Sequence, residues 1–229
     1  MAVTDLNLQT SGDNVDRTSY QTLSISPASN TLILAWVHSI VASPNIPTAS
    51  GNGLTWVQVG TVVDSGTNRR LTLFRAMGAS PTAGVVTFDF AGQTQTGCVW
   101  SIVQYSGVNT GGTNGSAAIV QSATANPAGS VSSITVTLAA FSSVNNATAG
   151  GFGYPLNNGN GTNGSGFTQT AEYFQGSPNE AIYTEFRSDN STTVDMSIGA
   201  SSVPMCGIAV EIASQSSTFT PSLMLLNVG

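Results

Sequence analysis

The chain has 229 residues, a formal net charge of −6 and only 7% charged residues, against roughly 25% in an average soluble domain. Lysine is absent, and serine plus threonine fill about a quarter of the positions. Helical bundles and coiled coils are excluded, because exposed helix faces need Glu, Lys, Gln and Arg. Nucleic-acid binding is excluded for want of cations to meet phosphates, and 40% hydrophobic residues are too many for a disordered polymer.

The length suits one all-β unit. No window holds the run of about 18 apolar residues that spans a bilayer, so neither a membrane nor a nucleic acid is an expected partner. Met1-Ala2-Val3-Thr4-Asp5 lacks a basic and then apolar leader, so synthesis in a cytoplasm without a signal peptide is expected. A single histidine and no Cys-x-x-Cys spacing argue against a metal centre, and no cofactor is expected.

Residues 1–17 are polar and carry Asp5, Asp13, Asp16 and Arg17; they suit an edge strand or an extended arm. From there, alternating and β-branched runs predict strands at 20–26, 31–41, 54–63, 69–77, 85–90, 98–106, 117–123, 131–138, 147–154, 167–174, 181–187, 193–198, 206–213 and 218–226. In Arg69–Ala76, Arg70, Thr72 and Phe74 face one way and Leu71, Leu73 and Arg75 the other. Ala49-Ser50-Gly51-Asn52-Gly53 suits a tight turn, and Asp64-Ser65-Gly66-Thr67-Asn68 a hairpin loop. Residues 155–166, rich in Asn and Gly, suit an irregular surface loop. Many short strands with turns between them predict an antiparallel jelly-roll-like β-sandwich. No internal repeat of fixed period is visible. The organisation expected is an arm at 1–17, a sandwich at 18–214 and a tail at 215–229. That tail runs from a polar hinge, Ser214-Gln215-Ser216-Ser217, into an apolar end with Phe219, Pro221, Leu223, Leu225 and Leu226. It either folds back as a strand or docks on a neighbouring subunit by strand addition.

Chemistry-bearing residues are few. His38 lies in an apolar strand, where a packed histidine is the ordinary case, and a Ser-His-Asp hydrolase would have to use it. No Gly-x-Ser-x-Gly elbow is present, and Gly164-Ser165-Gly166 follows Asn163 in the loop. A glycosidase needs two acids paired in a cleft. Among Glu172, Glu180, Glu185 and Glu211, the odd spacing of Glu180 and Glu185 puts them on opposite strand faces, and Glu211 alternates with Val210 and Ile212, which suits an outer face. No catalytic residues are therefore assigned. Trp56, Tyr154 and Tyr173 are candidates for stacking against a glycan, whereas Trp36 and Trp100 sit in apolar strands and suit the core. The Asn-rich loop offers carbonyl oxygens but no carboxylate, a poor calcium site. Cys98 and Cys206 suit buried reduced thiols, with a disulfide open if their strands are neighbours.

Three stretches carry a resemblance: Gly51-Asn52-Gly53-Leu54-Thr55-Trp56-Val57-Gln58-Val59, Arg69 through Ala79, and Trp100-Ser101-Ile102-Val103-Gln104-Tyr105-Ser106-Gly107-Val108, with Gly207–Ile212 as a closing strand. This pattern resembles uncharacterised β-sandwich proteins of tailed bacteriophages and environmental sequences, over roughly residues 18–214. The resemblance implies a non-catalytic virion structural protein made in the host cytoplasm and carried on the virion surface. A capsid cement or decoration protein is expected, commonly a homotrimer of jelly rolls. Its partners would be itself and the major capsid protein or another virion protein. The alternative is a receptor- or carbohydrate-binding module of a head or tail fibre. Candidate docking residues are the tail's Phe219, Pro221, Leu223, Leu225 and Leu226, and then Asp13, Asp16 and Arg17 near the N-terminus.

Overall fold

The structure, a computed structural model, describes residues 2–199 and 201–216. It is all-β and antiparallel throughout. The first eight strands are β1 (Thr4–Asp13), β2 (Ser19–Gln21), β3 (Leu32–Ile40), β4 (Thr48–Gly51), β5 (Val57–Val63), β6 (Arg69–Ala76), β7 (Val86–Asp89) and β8 (Gly97–Ser106). A short 3₁₀ turn at Ser116–Ala118 leads into β9 (Ile119–Ala125), β10 (Ser133–Thr137), β11 (Ala147–Tyr154), β12 (Thr162–Asn163), β13 (Thr168–Gln175), β14 (Glu180–Arg187), β15 (Thr193–Ser197) and β16 (Cys206–Ile212). The N-terminal segment resolves as an edge strand, since β1 pairs along its length with β8. Ala49–Gly53 is not wholly a turn: Thr48–Gly51 pairs with β7, and the chain reverses afterwards, where the Leu54 amide donates to the Gly51 carbonyl through left-handed Asn52 and Gly53. The predicted strand at 218–226 lies outside the described residues.

The strands form a repeat that the residue pattern hides. One five-stranded sheet has the order β1-β8-β3-β6-β5, and the other β9-β16-β11-β14-β13. The three-stranded sheets are β2-β7-β4 and β10-β15-β12. The second unit thus repeats the first, strand for strand. Registers agree as well. Leu32 opposes Tyr105 where Ala147 opposes Ile212. A bulge lies between Gln58 and Gly60 in β5, and another between Gln169 and Ala171 in β13. The isolated bridges Arg17–Gln95 and Val131–Val203 recur in step. The sandwich expected over 18–214 therefore spans two similarly wound units.

The sheets stack as four layers, three-stranded, five-stranded, five-stranded, three-stranded, with a core in each gap. Between β2-β7-β4 and its large sheet lie Tyr20, Val37, Phe74, Phe88, Phe90, Trp100 and Ile102. Between β10-β15-β12 and its large sheet lie Ile134, Val136, Phe152, Tyr154, Tyr183, Val194 and Met196. The central gap holds Leu32, Leu34, Trp36, Leu71, Leu73, Val99, Val103, Tyr105, Ile182, Phe186, Ile208, Val210 and Ile212. Successive residues of a strand point to opposite faces. The middle strands β3, β8, β11, β14 and β16 are therefore buried on both faces. The predicted division of β6 holds: Phe74 enters one core, and Leu71 and Leu73 the other.

The central gap closes because β11 presents small residues where β3 presents large ones. Ala147, Ala149, Gly151 and Gly153 share one face of β11, since they alternate along it. A Cβ on Gly151 would sit 2.2 Å from Trp36 Cδ1, and one on Gly153 2.4 Å from His38 Cδ2. Glycine is required at both points by close approach rather than by backbone angle. Gly151→Val is expected to destabilise the protein by about 1–3 kcal/mol through overpacking. Urea denaturation followed by tryptophan fluorescence checks this, and an unchanged midpoint would contradict the packing described.

Candidate functional site

The titratable groups with displaced pKa values lie mainly inside the sandwich. His38 of β3 is wholly buried in the central gap, with Nδ1 3.4 Å from Glu180 Oε1 of β14 and no hydrogen bond between them. The Gln175 amide donates to Glu180 Oε2 at 3.2 Å. Burial, and secondarily the Arg69 guanidinium, lower the His38 pKa to about 3. Burial raises that of Glu180 well above the carboxylate range. The pair is neutral and shut away from solvent, and neither imidazole nitrogen has a hydrogen-bond partner, so no serine hydroxyl is activated by it.

Glu185 points the other way, as its spacing requires. Its Oε2 accepts from the Gly164 amide at 3.2 Å. Burial lifts its pKa to about 8, the Gly164 amide opposing and Asp195 adding to the rise. Nearby, Glu172 Oε1 accepts from Tyr154 Oη at 2.6 Å and from the Gly161 amide at 3.1 Å. These carboxyls pin the loop at 155–166 to the outer face of the second large sheet, and two of the loop's residues form β12. Glu211 faces away from Val210 and Ile212, as expected, yet it is fully buried rather than outward in solvent. Gln121 donates to its Oε2 at 2.6 Å. Asn146, at 2.6 Å, and the Ser142 amide and hydroxyl, at 3.1 and 3.0 Å, donate to its Oε1. The first unit has a neutral counterpart, in which Gln104 Oε1 accepts from the Ala28 amide at 2.7 Å.

Two clefts mark the surface of the described residues. The larger, about 820 Å³, is formed by Ala2, Asn109, Ala117, Val120, residues 142–146, Ser188 and residues 213–216. Val120 and Val144 are exposed there, and Glu211 lies beneath its wall. The chain passes out of the described region from this cleft, with the Ser214 amide held by Asn146 Oδ1 at 3.2 Å. The smaller, about 550 Å³, is bounded by Gly159, Asn160, Gly161, Thr162, Ile198, Gly199 and Ser201. Neither cleft is lined by an acid, a base, a cysteine or a tyrosine. Among the described residues, no group of three His, Cys, Asp or Glu side chains is arranged to hold a metal ion.

The expected site residues are dispersed. Tyr154, a stacking candidate, is fully buried with its hydroxyl committed to Glu172, so it offers no ring face to a ligand. Trp56 is half-buried, its indole N–H on the Gly51 carbonyl at 3.3 Å. Tyr173 is half-buried in the central gap over Gly12 of β1. Asp13 receives the Val15 amide and the Arg17 guanidinium, both at 2.8 Å, in the turn after β1, and Asp16 is exposed beside them. Phe219, Pro221, Leu223, Leu225 and Leu226 lie outside the described residues. Cys98 and Cys206 are buried free thiols in separate cores. The Glu211 network and the large cleft went unread in the sequence, because their parts come from strands and loops far apart in the chain. The one signal was an acid alternating with apolar residues in a closing strand.

Comparison with protein-family models, curated proteins and solved structures finds no match to this chain.

The buried imidazole has a measurable consequence. Its folded pKa lies below the ordinary 6.5, so the unfolded chain binds the extra proton, and stability contributed by neutral His38 is lost as pH falls below 6.5 towards 3. Relative to wild type, His38→Gln is expected to gain stability over that interval, at up to about 1.4 kcal/mol per pH unit. Denaturant midpoints for both proteins across the range test this. A difference that does not vary with pH would contradict it.

Proposed function

We propose that this protein is a non-catalytic virion structural protein, a capsid cement or decoration protein that binds a shell and stabilises it. The observation that carries this reading is the separation of chemistry from access. The strongly shifted acids, the histidine and the thiols are buried, and the two clefts are lined by serine, asparagine, glycine and small apolar side chains. Such surfaces offer binding without an acid or base placed to activate a hydroxyl. The strand order β1-β8-β3-β6 facing β2-β7-β4, repeated in the second unit, supports a jelly roll in each. A surface of hydroxyls and amides also meets protein neighbours with little charge to desolvate.

The mechanism proposed is adhesive. The apolar tail, through Phe219, Pro221, Leu223, Leu225 and Leu226, docks on a neighbouring subunit of a homotrimer or on the major capsid protein, with Asp13, Asp16 and Arg17 as a second contact. Removing residues 217–229 is expected to leave a folded body, by circular dichroism, that sediments as a monomer and no longer co-sediments with capsids. If the truncated protein keeps the oligomeric state and particle binding of the full chain, the tail is not the docking element.

One observation favours the fibre-type, glycan-binding alternative. Phe174 is 45% exposed, and a Cβ on Gly159, at the rim of the smaller cleft, would lie 3.0 Å from its ring. That alternative expects glycan-array binding that Phe174→Ala lowers roughly tenfold, as loss of a stacking ring worth about 0.5–1.5 kcal/mol permits at its upper end. An array without binding counts against it.

A further inference from the structure

Five Asn-Gly steps occur in the chain, at Asn52, Asn114, Asn158, Asn160 and Asn163. Asparagine is thermolabile, and Asn-Gly is its most reactive setting because glycine leaves the following amide nitrogen unshielded. That nitrogen attacks the asparagine side-chain carbonyl carbon. A C–N bond forms, the side-chain amide leaves as ammonia, and a five-membered succinimide closes. Water then opens the ring at either carbonyl to give aspartate or isoaspartate. The sum is amide plus water to carboxylic acid plus ammonia, with no other reagent. The reaction needs an asparagine side chain free to turn and a glycine N–H that is not engaged elsewhere.

The fold engages the asparagine amide or the glycine N–H at three of the five steps and packs the glycine of a fourth inside. The Asn52 amide is buried and donates to the Thr82 and Gly84 carbonyls, both at 3.0 Å. Asn114-Gly115 forms the middle of a turn closed by the Ser116 amide on the Thr113 carbonyl, with Gly115 buried against Leu32 and Met77. The Gly161 amide after Asn160 is held by Glu172 at 3.1 Å. The Gly164 amide after Asn163 is held by the buried Glu185 at 3.2 Å, and the Asn163 amide is tied to the Phe167 carbonyl. At the remaining step, Asn158 and Gly159 are both exposed, and among the described residues neither the Asn158 side chain nor the Gly159 N–H has a hydrogen-bond partner.

We infer that Asn158 is a site of spontaneous, selective deamidation. The new carboxyl would arise next to the rim of the smaller cleft.

The test is peptide mapping by mass spectrometry of the full chain held at mildly alkaline pH, with a parallel sample in concentrated denaturant. In the native protein Asn158 should convert roughly tenfold or more faster than the other four, the order of effect expected from holding reacting groups out of attack geometry. In denaturant the five rates should converge. Gly159→Ala should suppress conversion at residue 158 and leave Asn52, Asn114 and Asn163 unchanged. The inference is overturned if the native protein ranks the five sites as the denatured chain does, if any other site keeps pace with Asn158, or if Gly159→Ala leaves its rate unaltered.

Discussion

The structure depends on one contact, the face-to-face packing of two five-stranded sheets. Each unit has its own small sheet on the outer side, but the inner faces of both large sheets are apolar and must cover each other. Burying a Leu, Ile or Phe side chain is worth about 1.5–3 kcal/mol, and the central gap takes such side chains from strands of both units. Neither unit could leave that face in water as a soluble body. Polar contacts between the units include Asp5 with Thr170, Ser101 with Thr184, Arg69 with the Asn179 carbonyl and Ser65 with the Gly129 carbonyl, besides the neutral His38–Glu180 pair.

This double burial explains the scarcity of charge. A strand covered on one face shows alternation; a strand covered on both shows a continuous apolar run. The middle strands are of the second kind, so few positions in the chain are left where a lysine or glutamate would face solvent. Outer strands such as β9 and β10 keep the alternation, and apart from Val120 their exposed positions are Ser and Thr.

Most strands were legible from residue pattern, and 147–154 agrees to the residue. The tandem repeat was not, for a physical reason. Along the middle strands β3 and β11, equivalent positions meet across the central gap, so there they are complementary rather than alike. Trp36 corresponds to Gly151 and packs on it; His38 corresponds to Gly153 in the same way. At those positions a large side chain in one unit requires a glycine in the other, so the two strands share a register but not a residue pattern. The candidate clefts were illegible for another reason. They are assembled from segments distant in the chain, and they carry none of the residue types that announce chemistry. The burial of Tyr154 was hidden similarly, because the residues it packs and bonds with come from β10, β13, β14 and β15.

The most direct test of the account is native-state hydrogen exchange. If the central gap holds both units together, the slowest amides of β3, β6 and β8 and those of β11, β14 and β16 should exchange with one common opening free energy, equal to that of global unfolding. Two distinct plateaus, with one unit opening while the other stays protected, would contradict it.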